Sequence, residues 1–289
     1  MRIALVTSLL DAAGMNIRSH IRQLLDEGRG ADIPDRSYVF HDVEGRLIHT
    51  EHVDDGMDAD LVIFLSRHSS VNPVPVLTVH VTGNYRTAEL GGASRTLAPA
   101  APALMQATLR ALARHCPAGY RVSYEVTHHG PTDLVHPSFF VEIGSTEKEW
   151  NDPLAGRAVA EAVLSAVFSD PVPLIGFGGT HYAARQTEIA LTSRGAFGHI
   201  AHTREIAELD EAMIRAMMER SGAVAAYIDR KALDRPAFDR LTGLLEALAI
   251  PRLSESEIVA IGHLSWDTYC TIRKMAGAVS PGARCYIHA

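Results

Sequence analysis

The chain has 289 residues, of which 47% are hydrophobic, 6% aromatic and 21% charged. Those proportions exclude a disordered chain, a collagen-like repeat and a small disulfide scaffold, while the length allows one large α/β domain or two smaller ones, each with a substantial core. A formal net charge of −7 argues against wholesale wrapping of a nucleic acid, which relies on positive potential and counterion release, but leaves room for a local grip.

Cys116, Cys270 and Cys285 are odd in number and form no Cys-x-x-Cys pair. Neither a disulfide framework nor a thiolate zinc site is indicated, and a reducing cytoplasm fits best. The apolar run from Ile3 to Val6 is too short for a signal-peptide core, and no later run approaches the roughly 20 residues that span a bilayer, so we expect no membrane partner. Lysines occur at Lys148, Lys231 and Lys274 alone, and the other basic residues are arginines. An arginine bias suits phosphate recognition and is equally the mark of a compositionally biased genome.

In chain order, Arg2 to Ser8 reads as a buried first strand, followed by a helix with Ile17, Ile21, Leu24 and Leu25 at helical spacing. Asp60 to Ser66 is a second apolar strand. Leu77 to Thr82 alternates Leu77, Val79 and Val81 with Thr78, His80 and Thr82, which predicts a strand with one polar face. Pro102 to Cys116 reads as a helix, with Arg110 and Arg114 one turn apart. Tyr120 to His129 and Ser138 to Gly144 read as strands separated by a turn at Gly130-Pro131. Asp152-Pro153 has the form of an N-cap and first helical residue, opening a helix to about Phe168; Val172 to Phe177 is a further strand. Thr203 to Arg220 carries Ile206, Leu209, Met213 and Met217 on one stripe, and Phe238 to Leu248 is similarly amphipathic. The alternation predicts an α/β fold, a sheet with helices on both faces. We expect one domain over residues 1–289, with the catalytic motifs within 66–187 and a more helical part over 203–289.

The chemistry concentrates at strand ends. His80 lies on the polar face of its strand, just before Gly83-Asn84. His128 and His129 are adjacent, so a persistent pleat would send them to opposite faces. Glu125, Thr127 and His129 would then share one face, which favours His129, although the following Gly130-Pro131 permits an irregularity. Glu142 is the one charge inside an apolar strand and needs a cation, a metal or hydrogen-bond donors. Gly178-Gly179 sits in a turn that delivers His181 and can expose backbone N–H groups to an oxyanion or a phosphate. His68, His80, His128 or His129, Glu142 and His181 thus fall at the ends of neighbouring strands, where open α/β sheets bind ligands. Imidazole and carboxylate without thiolate suit zinc; without a metal, the same groups can serve as general base and oxyanion donors.

Four ordered segments carry a family resemblance: His68-Ser69-Ser70 with Pro75 to His80 and Gly83-Asn84; Glu125 to Pro131; Phe140 to Thr146 through Trp150; and Gly176 to Tyr182. Together they resemble the archaeal and plant-type D-aminoacyl-tRNA deacylases. The resemblance implies hydrolysis of the ester between a D-amino acid and the terminal ribose of tRNA. It also implies a zinc cofactor and a three-layer α/β/α fold with a mixed, mostly parallel central sheet, similar to phosphorylases and peptidyl-tRNA hydrolases. Carried onto this chain, it makes His80, His128, His129, Glu142 and His181 the expected catalytic residues; our own inference is that His80, His129, Glu142 and His181 are the metal ligands. His68, Asn84, Thr127, Gly178, Gly179, Tyr182 and Arg185 are the expected substrate-binding residues, with the Gly178-Gly179 turn as oxyanion site. Arg110, Arg114 and Arg185 are candidates to hold acceptor-stem phosphates. Ala184 departs from the proline of the family pattern, which bears on substrate preference more than on reaction type. Two rival readings use the same residues: a metal-dependent hydrolase of a peptide, amide or nucleoside, and a non-catalytic module that binds the tRNA end.

Overall fold

The computed structural model describes residues 1–29, 33, 35–71, 73–168 and 170–279; Cys285, with the rest of the last ten residues, lies outside them. The elements run β1 (Arg2–Ser8), α1 (Ala12–Asp26), β2 (Ser37–Val43), β3 (Leu61–Arg67), β4 (Val76–His80), β5 (Gly83–Asn84), β6 (Thr96–Leu97), α2 (Pro102–His115), β7 (Arg121–Tyr124) and β8 (Ser138–Gly144). They continue with α3 (Glu147–Trp150), α4 (Pro153–Ser165), β9 (Val172–Phe177), α5 (Ala184–Thr192), β10 (Gly195–Ala201), α6 (Glu211–Ser221), β11 (Ala225–Ile228), α7 (Arg235–Ala247), β12 (Arg252–Leu253), α8 (Glu255–Ile261) and α9 (Trp266–Val279).

A six-stranded sheet has the order β2-β1-β3-β8-β4-β7 and a four-stranded one the order β10-β9-β11-β12, with β5 and β6 as a separate ribbon. Every pairing in the two larger sheets is parallel except that of β4 with β8. This is the mixed, mostly parallel architecture with flanking helices that the resemblance implies. Past Tyr124 the chain leaves the larger sheet: Val126 N–H donates to the His181 carbonyl and Thr127 N–H to that of Ile200. The β7 extension therefore ties the two sheets together next to Gly178-Gly179.

Side-chain alternation sorts the faces. On the larger sheet Ile63, Leu65, Leu77, Val79, Phe139, Val141 and Ile143 pack against the apolar sides of α1, α2 and α4 in a core that continues into β9 and β10. Asp11 caps α1 by accepting from Gly14 N–H, and Asp152 caps α4 by accepting from Leu154 N–H, as Asp-Pro predicts. The opposite face, with Val62, Phe64 and Phe140, is covered by Leu47, Ala98 and Leu134 from turns and irregular segments. Thr78, His80, Ser66 and Glu142 lie on this second face, all four buried, and Ser66 and Glu142 reach the wall of a cavity there. The smaller sheet is flanked on both sides: Leu174, Phe197 and Tyr227 join α5 and α8, while Ile175, Phe177 and Ile228 meet α6 and α7.

Two sequence expectations are corrected here. The Thr203 to Arg220 stripe is a 3-10 turn over Thr203–Glu208 followed by α6, because Asp210 caps a new helix by accepting from Met213 N–H; Ile206, Leu209, Met213 and Met217 still share one core. The strand expected over Tyr120 to His129 stops at Tyr124, and His129 has a left-handed φ of 45°. No helix among the described residues is long and apolar enough to cross a membrane.

Candidate active site

The site forms where β3, β4, the β7 extension, β8 and the turn after β9 meet. Glu125 is its hub. This carboxylate is fully buried; its Oε1 lies 3.1 Å from His68 Nδ1, and its Oε2 lies 2.9 Å from His181 Nε2 and 3.5 Å from His128 Nε2. Glu142 Oε2 stands 3.6 Å from His80 Nε2 and 3.8 Å from His68 Nδ1, so the two carboxylates share His68. The five imidazoles touch: ring centroids are 4.4 Å apart for His80 and His128, 4.4 Å for His128 and His129, 4.8 Å for His128 and His181, and 5.3 Å for His68 and His181.

Local backbone explains the convergence. The left-handed turn at His129 cancels the pleat, so His128 and His129 both enter the cluster and the sequence-based preference for His129 alone falls away. Gly130 is needed there, because an added Cβ would lie 2.3 Å from Gly92 N. At Gly144 a Cβ would lie 2.6 Å from the His68 ring, so the glycine that ends β8 makes room for that imidazole. Trp150 completes the fixture from α3 by donating its indole N–H to the His68 carbonyl at 2.9 Å.

Hydrogen bonding fixes the ring tautomers. His128 Nδ1 lies 2.7 Å from the Val126 carbonyl, His129 Nδ1 2.7 Å from that of Gly130, and His80 Nδ1 3.3 Å from that of Val81. A carbonyl can only accept, so each Nδ1 carries a proton and, in the neutral ring, each Nε2 presents a lone pair. Burial, reinforced by the neighbouring imidazoles, drives the pKa of His128 well below the ordinary histidine value and that of His129 down to about 3. Both rings are therefore neutral at pH 7. Burial also opposes charge on His68 and His80, but the carboxylates more than offset it and raise both. Burial would raise Glu125 too, yet His181 and His68 hold it well below the usual carboxylate range; in Glu142 burial prevails and the pKa rises.

The donor set fits a metal ion. Three overlapping groups, His80-His128-His129, His68-Glu125-His181 and His80-Glu125-Glu142, each bring their ligand atoms within 4.8 Å of one another. His80 Nε2, His181 Nε2 and both Glu125 oxygens are buried without a partner in hydrogen-bond geometry, a costly arrangement unless a cation completes it. The cluster opens into a cavity of about 340 Å³ whose wall includes His68, His128, His129, Glu142 and His181, together with Arg46, Arg67, Leu10 and Leu90.

The other sequence-selected residues are distributed unevenly. Tyr182 is in the site, its hydroxyl 3.0 Å from His68 Nε2. Asn84 instead donates to the Gly91 and Ala93 carbonyls and pins a loop. Thr127 Oγ1 meets His199 Nδ1 at 3.1 Å and accepts from Ile200 N–H. The oxyanion role expected of Gly178-Gly179 meets an obstacle: Gly178 N–H donates to the Ala201 carbonyl and Gly179 N–H to Thr203 Oγ1, so neither donor is free. Arg110 caps the end of α5 through the Ala190 and Ser193 carbonyls, and Arg185 pairs with Glu188 and Glu255. Arg114 is exposed near the end of α2. The expected ligands His80, His129, Glu142 and His181 are divided among the three groups, and Glu125, absent from that set, sits in two of them. Its signal was weaker than that of Glu142: an acid directly after the Arg-Val-Ser-Tyr strand β7, with His128 three residues on.

Fold and cluster together define an α/β protein with a buried imidazole–carboxylate centre at the ends of the interior strands of a mostly parallel sheet. The model of the family described as D-aminoacyl-tRNA deacylase matches residues 55–253. The chain belongs to the D-aminoacyl-tRNA deacylase family. It is 64% identical over 290 residues to the D-aminoacyl-tRNA deacylase of Methanoregula boonei, covering 100% of this chain and 66% of that protein. It is 39% identical over 279 residues to the one of Methanosarcina mazei, covering 89% and 93%. The chain thus spans about two thirds of the length of the first relative and nearly all of the second. A crystal structure described as a conserved protein of unknown function superposes with a TM-score of 0.81 at 32% identity, covering 89% of this chain and 96% of that one.

Proposed function

We propose that the chain hydrolyses the ester of D-aminoacyl-tRNA, releasing the D-amino acid and tRNA in the cytoplasm, with zinc as its cofactor. The observation that carries this reading is the meeting of lone-pair-bearing imidazoles with a buried, ionised Glu125 in an open cavity, in a member of this family. Peptide, amide and nucleoside substrates have no comparable support, and neither does a purely structural role for five touching imidazoles.

His80, His128 and His129 would hold the zinc, with Glu142 against His80; this set shares His80, His129 and Glu142 with the sequence expectation and exchanges His181 for His128. When bound, zinc polarises an acyl carbonyl and lowers the pKa of water to ~7. The remaining residues handle protons. Hydrolysis forms a bond from water oxygen to the acyl carbon, breaks the bond from that carbon to the ribose oxygen, and moves one proton from water to the ribose. His181, 41% exposed and backed by Glu125, is placed to take that proton. His68, whose pKa Glu125 raises against the opposing effect of burial and whose ring meets the Tyr182 hydroxyl, is placed to return one to the ribose oxygen. The stereochemical choice would come from exclusion of the L side chain.

The test compares single-turnover deacylation of D-tyrosyl-tRNA, L-tyrosyl-tRNA and D-tyrosine methyl ester. The D-tyrosyl-tRNA rate is expected to exceed that for the L form by about 10²-fold or more, a preference of about 3 kcal/mol. Equal cleavage of both hands, or cleavage of the small ester with neither tRNA touched, would overturn the assignment.

A further inference from the structure

We propose that Arg46 and Arg67 form a phosphodiester subsite on the cavity wall, holding the phosphate that precedes the terminal nucleoside of the substrate; this rests on the hydrolytic reading above. Both residues line the cavity that contains the imidazole cluster. The arginines of this wall divide by partner: Arg204 pairs with Glu205, which also binds Arg86. Arg18, Arg95, Arg157, Arg185 and Arg194 likewise meet carboxylates. Arg46 and Arg67 have no carboxylate partner among the described residues.

Arg67 is also oriented. Its guanidinium carbon lies 5.0 Å from the centroid of the Trp150 ring, and the indole N–H of the same residue fastens the His68 carbonyl. One aromatic ring therefore sets both the cation and the imidazole next to it in sequence. Stacking leaves the in-plane N–H groups of an arginine free, the arrangement that receives a phosphate with two parallel hydrogen bonds. Asp11, the nearby acid on this wall, does not compete, because it already accepts from Gly14 N–H, Ser66 Oγ and Arg67 N–H. Leu10, Leu47 and Leu90 give the same wall an apolar stretch suited to a base or an amino-acid side chain. A polynucleotide end carrying an ester is the ligand that needs an anion site and an apolar surface this close to the reacting carbonyl.

The experiment measures R46Q, R67Q, the double variant, R67K and the surface control R215Q on D-tyrosyl-tRNA and on 2′(3′)-O-D-tyrosyl-adenosine, which has no internucleotide phosphate. For each glutamine variant KM on the tRNA is expected to rise about tenfold, the value of a charge-assisted hydrogen bond, with kcat changed far less. The loss on the tRNA should exceed that on the adenosine ester by about tenfold, R67K should recover part of it, and R215Q should match the parent. Binding of a non-aminoacylated oligonucleotide ending in CCA-3′ should weaken in parallel, its log–log salt slope falling by about 0.7 per arginine removed. Equal losses on the two substrates, or unchanged oligonucleotide binding in the double variant, would overturn the subsite. The parental rate on D-tyrosyl-tRNA tests the hydrolytic reading separately, and the oligonucleotide measurement decides on the arginines whether or not that rate is found.

Discussion

Glu125→Gln should lower kcat/KM on D-tyrosyl-tRNA by about 10³-fold, or ~4 kcal/mol of barrier, while the variant remains folded. The magnitude follows from the position of the carboxylate. It lies within 3.5 Å of His68, His128 and His181 at once, fully buried, and stays ionised because two of those imidazoles favour its charge. Glutamine has nearly the same shape but no charge, and its amide would aim a donor at nitrogens that now face an acceptor. His68 would lose its principal reason to be protonated, and His181 the group that backs it. Glu142→Gln should cost less, about tenfold, because burial has already raised the pKa of Glu142 and its imidazole contacts are longer, at 3.6 and 3.8 Å. If Glu125→Gln retained parental activity, the division of labour described above would be wrong.

Removing metal should have the second large effect. Dialysis against a chelator is expected to reduce deacylation by about 10²-fold or more, and stoichiometric zinc to restore it, magnesium not. Magnesium prefers oxygen ligands, whereas the Nε2 atoms of His80, His128 and His129 are nitrogen donors whose tautomers are set in advance by backbone carbonyls. The pH dependence of retention has a definite sign. Burial depresses the pKa values of His128 and His129, whereas in His80 Glu142 overcomes burial and raises it, so His80 is the first of the three to protonate as pH falls. Zinc occupancy should therefore decline on the acid side through the titration of His80, and Glu142→Gln should move that decline to lower pH.

Much of this was readable in the letters where a residue answers to its own neighbours. The polar alternation of Thr78 and His80, the lone charge of Glu142, the Asp152-Pro153 cap and the turn delivering His181 all follow from local pattern, and all lie where that pattern puts them. What depended on partners far away in sequence was not readable. The pleat rule separated His128 from His129: Gly130-Pro131 permitted an irregularity, but its form, a chain that leaves one sheet for another after Tyr124 and turns left-handed at His129, depends on distant partners. The glycines at 178 and 179 looked like free donors until Ala201 and Thr203 came up beside them. Arg110 looked like a phosphate ligand until the end of α5 supplied carbonyls for it, and Arg46 and Arg67 gave no signal at all, since what distinguishes them is a place on the cavity wall beside the imidazoles.

Anomalous diffraction at the zinc edge from crystals of the purified chain tests the centre most directly. A peak bounded by the Nε2 atoms of His80, His128 and His129, absent from crystals of a His128→Ala variant, is the predicted result. Zinc bound elsewhere on the surface, with this hollow empty at full occupancy of the other sites, would contradict it.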